Sequence, residues 1–107
     1  MKRYGMVIGL KPEVEEEYKR YHAAVWPGVL ATIHACNIRN YSIFLHEHRL
    51  FAYFEYHGTD YAADMAKMAA DRTTQEWWAI MNPMQSPLPD RKPGAWWTEI
   101  EEVFHVD

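Results

Sequence analysis

The segment Leu50-Phe51-Ala52-Tyr53-Phe54-Glu55-Tyr56 constrains this chain more than any other stretch. Its β-branched-free but aromatic alternation reads as a strand, in which successive side chains point to opposite faces. Leu50, Ala52 and Phe54 fall on one face, Phe51 and Tyr53 on the other, so both faces are apolar. A strand of that kind has both faces covered. With 107 residues the chain is expected to form a single domain over 1–107 with one real core. Helices suffice to cover one face, and a second subunit is expected on the other.

The remaining elements follow from the same alternation. Arg3 to Leu10 sets Tyr4, Met6, Ile8 and Leu10 against Gly5, Val7 and Gly9, and the glycines leave one face thin. Asn40 to Leu45 sets Tyr41, Ile43 and Leu45 against Ser42 and Phe44, with His46-Glu47-His48-Arg49 as a polar turn. A last strand is expected from about Thr98 to Val106. Between the strands, Lys11-Pro12 opens a helix whose early glutamates complement the helix dipole and which must kink or break at Trp26-Pro27. A second helical piece, Gly28 to about Cys36, is expected to turn Val29, Leu30, Ile33 and His34 inward.

Asp60 caps a helix carrying Tyr61, Met65 and Met68 to about Ala70. Thr73 with Glu76 fits a capping box that opens a helix bearing Trp77, Trp78, Met81 and Met84. Pro83 to Gly94 holds four prolines and a glycine, and reads as a loop. The order strand, helix, strand, strand, helix, strand predicts an α+β fold of the ferredoxin-like split βαβ type. Its sheet is expected to be four-stranded and antiparallel, with helices on one face.

Bulk properties exclude several functions. A formal charge of −4 with no basic block longer than two argues against nucleic acid. No apolar run approaches a membrane span, and the lone Cys36 precludes an internal disulfide, so a cytoplasmic protein is expected. There is no phosphate-cradling glycine loop and no Gly-x-Ser-x-Gly elbow. His46, Glu47, His48 and His57 lie in or near an exposed turn, with no Cys to complete a zinc shell.

What stands out is 15% aromatic content, including five Trp and seven Tyr, more than a small core needs. Val14, Tyr18, His22 and Trp26 recur at a spacing of four, which stacks them on one helix face. A core stripe would be aliphatic throughout; here an imidazole that titrates near neutrality sits among rings. Half-buried residues satisfied by local hydrogen bonds give the same pattern, as does a small pocket lined by Tyr18 and His22. Trp77 and Trp78 point about 100° apart on a helix, so one packs inward and the other faces a cleft or a partner. Tyr41 alone reads as strand packing with its hydroxyl at the rim.

Taken together, Lys11-Pro12, Glu17-Tyr18-(x)3-His22-(x)3-Trp26-Pro27, Asn40-Tyr41-Ser42-Ile43, Trp77-Trp78-(x)2-Met81 and Glu102-Val103-Phe104-His105 resemble the L-rhamnose mutarotases. The likeness runs through nearly the whole chain in order and spacing. It implies a cytoplasmic homodimer of ferredoxin-like subunits, sheet against sheet, that interconverts the anomers of a 6-deoxy sugar without metal or cofactor. It also implies His22 as the catalytic proton donor and Tyr18, Tyr41, Trp77 and Trp78 as contacts to the monosaccharide. The segment Pro87 to Pro93 departs from the family's usual loop, and Trp96-Trp97 is an addition, which bears on the identity of the sugar. Two alternatives share such a fold: a haem-binding protein or monooxygenase in which a His ligates iron, and a sugar-binding module without activity.

Overall fold

A computed structural model describes residues 1–107. The central pair is β1 (Lys2–Leu10) and β3 (Arg49–Tyr56), antiparallel from Lys2 opposite Tyr56 to Gly9 opposite Arg49. Next to β3 lies β2 (Ile38–His46), joined to it by a two-residue hairpin. Glu47 and His48 both take positive φ there, as the primed turns that match strand twist require. On the far side of β1 lie two short strands, β4 (Gln85–Ser86) and β5 (Thr98–Ile100). The order β2-β3-β1-β4 is that of the ferredoxin-like sheet, and the α+β reading holds.

The expected last strand is β5, while Gln85 and Ser86, expected to lie in a loop, form a further short strand, so the sheet has five strands rather than four. Gln85 and Ser86 pair with Leu10 and Gly9 before the proline-rich segment leaves the sheet. Only a glycine fits opposite Ser86: a Cβ on Gly9 would sit 2.6 Å from the Ser86 carbonyl oxygen. The chain returns at Thr98 opposite Val7 and ends its pairing at Ile100, six residues before the expected Val106. Past Ile100 only Tyr4, Arg3 and Lys2 of β1 remain, so a strand could extend no further than Val103. Ile100 faces Gly5, Glu102 meets Arg3 through an ion pair at 2.7 Å, and β1 begins at Lys2. Phe104 and Val106 lie beyond the start of β1 and have no strand to join, and with Val103 they are exposed.

The helices are α1 (Glu15–His22), α2 (Pro27–Ala35), α3 (Tyr61–Ala70) and α4 (Arg72–Met81). The first begins later than expected, after a single 3-10 turn at Pro12–Val14, and ends before Trp26. Trp26 is held extended by Pro27 (φ −59°, ψ 132°), which is the ordinary constraint on a residue preceding proline. In α2, Val29 and Ile33 pack inward while Leu30 and His34, expected inward, are exposed.

The cap of α4 is Asp71 and not Thr73: the Asp71 carboxylate accepts from the Thr74 amide and hydroxyl, each at 2.9 Å. A carboxylate at that position meets unpaired helix amides directly, so the capping box does not form. Asp60 caps α3 as expected, by accepting from the Ala63 amide.

All four helices cover the sheet face that carries Ile8, Leu10, Leu50, Ala52 and Phe54, and these side chains are buried. On the opposite face Phe44, Phe51, Val7 and Thr98 form one row across four strands. No helix covers that row, and Phe44 is 65% exposed. The two faces should therefore answer differently to truncation. Leu50→Ala is expected to cost about 2–5 kcal/mol in denaturant unfolding, because it leaves a cavity in the core. Phe51→Ala, read at a concentration where the chain is monomeric, should cost far less.

Candidate active site

The helix-covered face opens into a cavity of about 970 Å³ between the sheet, α1, α4 and the segment that precedes β5. That is large for a monosaccharide-sized ligand, at the upper end of the roughly 300–1,000 Å³ of small-molecule sites. Its lining is mainly apolar and aromatic, with polar members that include Tyr18, Lys19, His22, Tyr41, Thr74 and Gln85.

Tyr18 and His22 lie one turn apart on α1, and their rings stack at 4.1 Å with 25° between planes. Tyr18 is buried in the core, while His22 is half-buried at the cavity wall. The His22 Nδ1 lies 2.9 Å from the Tyr18 carbonyl oxygen. A carbonyl only accepts, so Nδ1 carries the proton in the neutral ring and Nε2 is left with a free lone pair. Burial lowers the His22 pKa, against an opposing pull from the bond to the Tyr18 carbonyl. Below the ordinary value near 6.5, the imidazole is neutral at pH 7 and is a base at Nε2.

The same burial acts on phenols with the opposite sign. Desolvation pushes Tyr18 up to about 12, partly offset by a hydrogen bond from Gln85. Tyr61 is likewise raised to about 12, chiefly by burial. Tyr41 shifts upward for the same reason, although 39% of the residue is exposed and its ring forms part of the cavity rim. These hydroxyls stay protonated at physiological pH and are hydrogen-bond donors.

The indole pair divides as its helical spacing requires. Trp77 is 5% exposed, and its ring meets those of Tyr21, His22 and Trp26 edge-on at 5.9, 5.3 and 5.1 Å. Trp78 is 37% exposed. Both border the cavity. Tyr41 reaches it by a bulge: Asn40 and Tyr41 together oppose Phe54, between the Arg39–Glu55 and Ser42–Tyr53 pairs. Without the extra residue Tyr41 would point to the uncovered face. Its ring packs 5.4 Å from Phe54.

Every residue singled out from the sequence, Tyr18, His22, Tyr41, Trp77 and Trp78, borders this one cavity. Val14 and Trp26 do not line it; they pack against the core behind it. Trp96 and Trp97, read from the sequence as an addition, line it as well, as do Gln85, Asn82 and Tyr61, which carried no separate signal. The proline content of 83–94 concealed Gln85, and the helical period of Met65 and Met68 made Tyr61 look like core. Of the histidines in and near the hairpin turn, His48 pairs with Glu15 and His57 with Glu55, on different parts of the surface. No three His, Cys, Asp or Glu side chains converge on a point that would hold a metal ion.

Comparison with known proteins gives one consistent result. A family model described as L-rhamnose mutarotase matches residues 3–106. The L-rhamnose mutarotase of Oceanobacillus iheyensis is 34% identical over 109 aligned positions, covering all of both chains. That of Bacillus subtilis is 35% identical, again over the full length of both. Among solved structures, the L-rhamnose mutarotase of Formosa agariphila superposes with a TM-score of 0.78 at 25% identity, covering both chains completely. Tetracenomycin F2 cyclase of Streptomyces glaucescens shares the fold at a TM-score of 0.71 and 14% identity. A match that spans the chain from strand β1 to its last residues, at more than 30% identity to full-length relatives, places the protein in the L-rhamnose mutarotase family.

Proposed function

We propose that this chain accelerates interconversion of the α and β anomers of L-rhamnose or a related 6-deoxy-aldohexopyranose, with His22 as its acid/base. The observation that carries the reading is a neutral imidazole, its Nε2 lone pair free, set in the wall of an aromatic cavity. Mutarotation moves protons and forms no lasting charge. Nε2 takes the proton of the anomeric hydroxyl as the C1–ring-oxygen bond breaks, and the ring oxygen takes a proton from a solvent water. The aldehyde rotates, the ring closes on its other face as its oxygen gives that proton back to water, and His22 returns the other proton to O1. One well-placed acid/base supplies roughly 10² to 10⁴ in rate, enough for a reaction that already proceeds in water. Tyr18 and Tyr41 would donate to sugar oxygens, while Trp77 and Trp78 offer flat apolar surface to C–H groups.

The expected outcome is enhanced saturation transfer between the two anomeric protons of L-rhamnose on adding the protein, lost in His22→Ala. Because the imidazole must be neutral, exchange should hold at pH 7 and fall only as pH drops below the depressed His22 pKa. The midpoint should therefore lie below 6.5. Unenhanced exchange with L-rhamnose, L-fucose and related 6-deoxy sugars would refute the reading. Sugar binding without enhancement would instead identify a binding module.

The uncovered sheet face supports a homodimer. Phe44 and Phe51 lie side by side there, with Ile100 on the neighbouring row, and all three are exposed. A large exposed apolar patch marks a contact surface, and a second copy of the same face completes the two-sided cover that β3 demands. Light scattering at micromolar concentration should give twice the chain mass, reduced to one chain mass by Phe44→Asp with Phe51→Asp. A monomeric wild type would overturn the assembly.

A further inference from the structure

Gln85 is 6% exposed and is one of two buried polar residues in the chain. It sits on β4 opposite Leu10, on the cavity side of the sheet. Its side chain joins two others: the Trp96 Nε1 donates to Gln85 Oε1 at 2.8 Å, and Gln85 Nε2 donates to Tyr18 Oη at 3.3 Å. The direction of this chain is not arbitrary. An indole N–H has no acceptor capacity, so the atom facing Trp96 must be the amide oxygen. That choice turns the amide nitrogen, which only donates, toward Tyr18. The phenol oxygen therefore accepts, and the phenol's own proton is left without a protein acceptor. The cavity, which Tyr18 lines, is the open direction for it.

We propose that Trp96 and Gln85 are positioning residues that hold Tyr18 as a one-way hydrogen-bond donor into the cavity. Tyr18 then gives its bond to the sugar oxygen on which negative charge develops as the ring opens. This rests on the mutarotase reading for its chemistry, though not for the orientation of the phenol. The arrangement is complementary to His22: one ring is held as an acceptor by a carbonyl, its stacked neighbour as a donor by an indole. A donor aimed beforehand at a developing charge needs no reorganisation during reaction, which is the source of its effect.

Three substitutions test it. Gln85→Glu keeps the shape but turns the partner of Tyr18 into an acceptor, which draws the phenol proton away from the cavity. Gln85→Met removes both bonds without a charge, and Trp96→Phe frees the amide to flip while leaving it in place. The expected result for Gln85→Glu is a loss of roughly tenfold to hundredfold in kcat for anomer exchange with KM little changed. Trp96→Phe should show a smaller loss of the same kind. In a Tyr18→Phe background, Gln85→Glu should have almost no further effect, because it acts through the phenol.

A full-sized effect of Gln85→Glu in that background would overturn the proposal, as would wild-type kcat in both Gln85→Glu and Trp96→Phe. Orientation is read separately from the ¹³Cζ resonance of Tyr18, assigned by its absence in Tyr18→Phe. That resonance should move in Gln85→Glu and, less, in Gln85→Met; an unmoved resonance refutes the donor geometry even if exchange is never enhanced. Absent exchange in the wild type with the expected ¹³Cζ shifts would refute the mutarotase reading alone.

Discussion

Everything in this molecule is referenced to the ladder between β1 and β3. Its register puts Ile8 opposite Leu50 and Met6 opposite Ala52 on the covered face, and Val7 opposite Phe51 on the other. A slip of one residue would exchange those faces, exposing Leu50 and burying Phe51 under the helices. The site inherits that register at two removes. Tyr41 arrives through β2, which pairs with β3, and Gln85 arrives through β4, which pairs with the end of β1. The helices that bring Tyr18, His22, Trp77 and Trp78 are packed on the same covered face. The cavity is therefore the gap left where a curved sheet and its helices do not fully meet.

The sequence is explicit where a residue type answers to its immediate neighbours. Alternation located β1 and β3, Asp60 announced α3, and the spacing of Tyr18 and His22 on α1 survived intact as a ring stack. It is silent where the outcome depends on a distant edge. Gln85 and Ser86 are a strand only because Gly9 and Leu10 are there to receive them, and Phe104 to Val106 are not a strand because β1 has ended. Propensity has no access to either fact. Asp71 against Thr73 is the intermediate case: both are good caps, and the choice was settled by where α3 stops.

The Asn40–Tyr41 bulge shows how one irregularity can decide a site. Strict alternation continued from Ile38, which is buried, would have sent Tyr41 outward. With two residues opposite Phe54 the parity is reset, and Tyr41, Ile43 and Leu45 all fall on the helix side. Asn40 takes positive φ to allow it, a conformation that asparagine accepts more readily than most residues, and its amide is tied to Glu55 at 2.7 Å. The alternation from Asn40 onward matches the structure because it begins at the bulge itself, not because the strand is regular.

Within the cavity, acid and base character is distributed without a charged pair. Desolvation disfavours whichever form is ionised, so the same burial that lowers the pKa of His22 raises those of Tyr18 and Tyr61. Burial alone, however, leaves direction undetermined: a neutral imidazole has two tautomers, and a neutral phenol can donate or accept. Each ambiguity is removed by an anchor with only one capability, a backbone carbonyl for His22 and an indole N–H, relayed by an amide, for Tyr18. A site built in this way suits a reaction whose ring-opening step takes a proton from one oxygen and gives a proton to another, and whose ring-closing step reverses both. Strong electrostatic fields would favour one protonation state of the sugar over the next, whereas mutarotation passes through the same pair of proton transfers from either anomer.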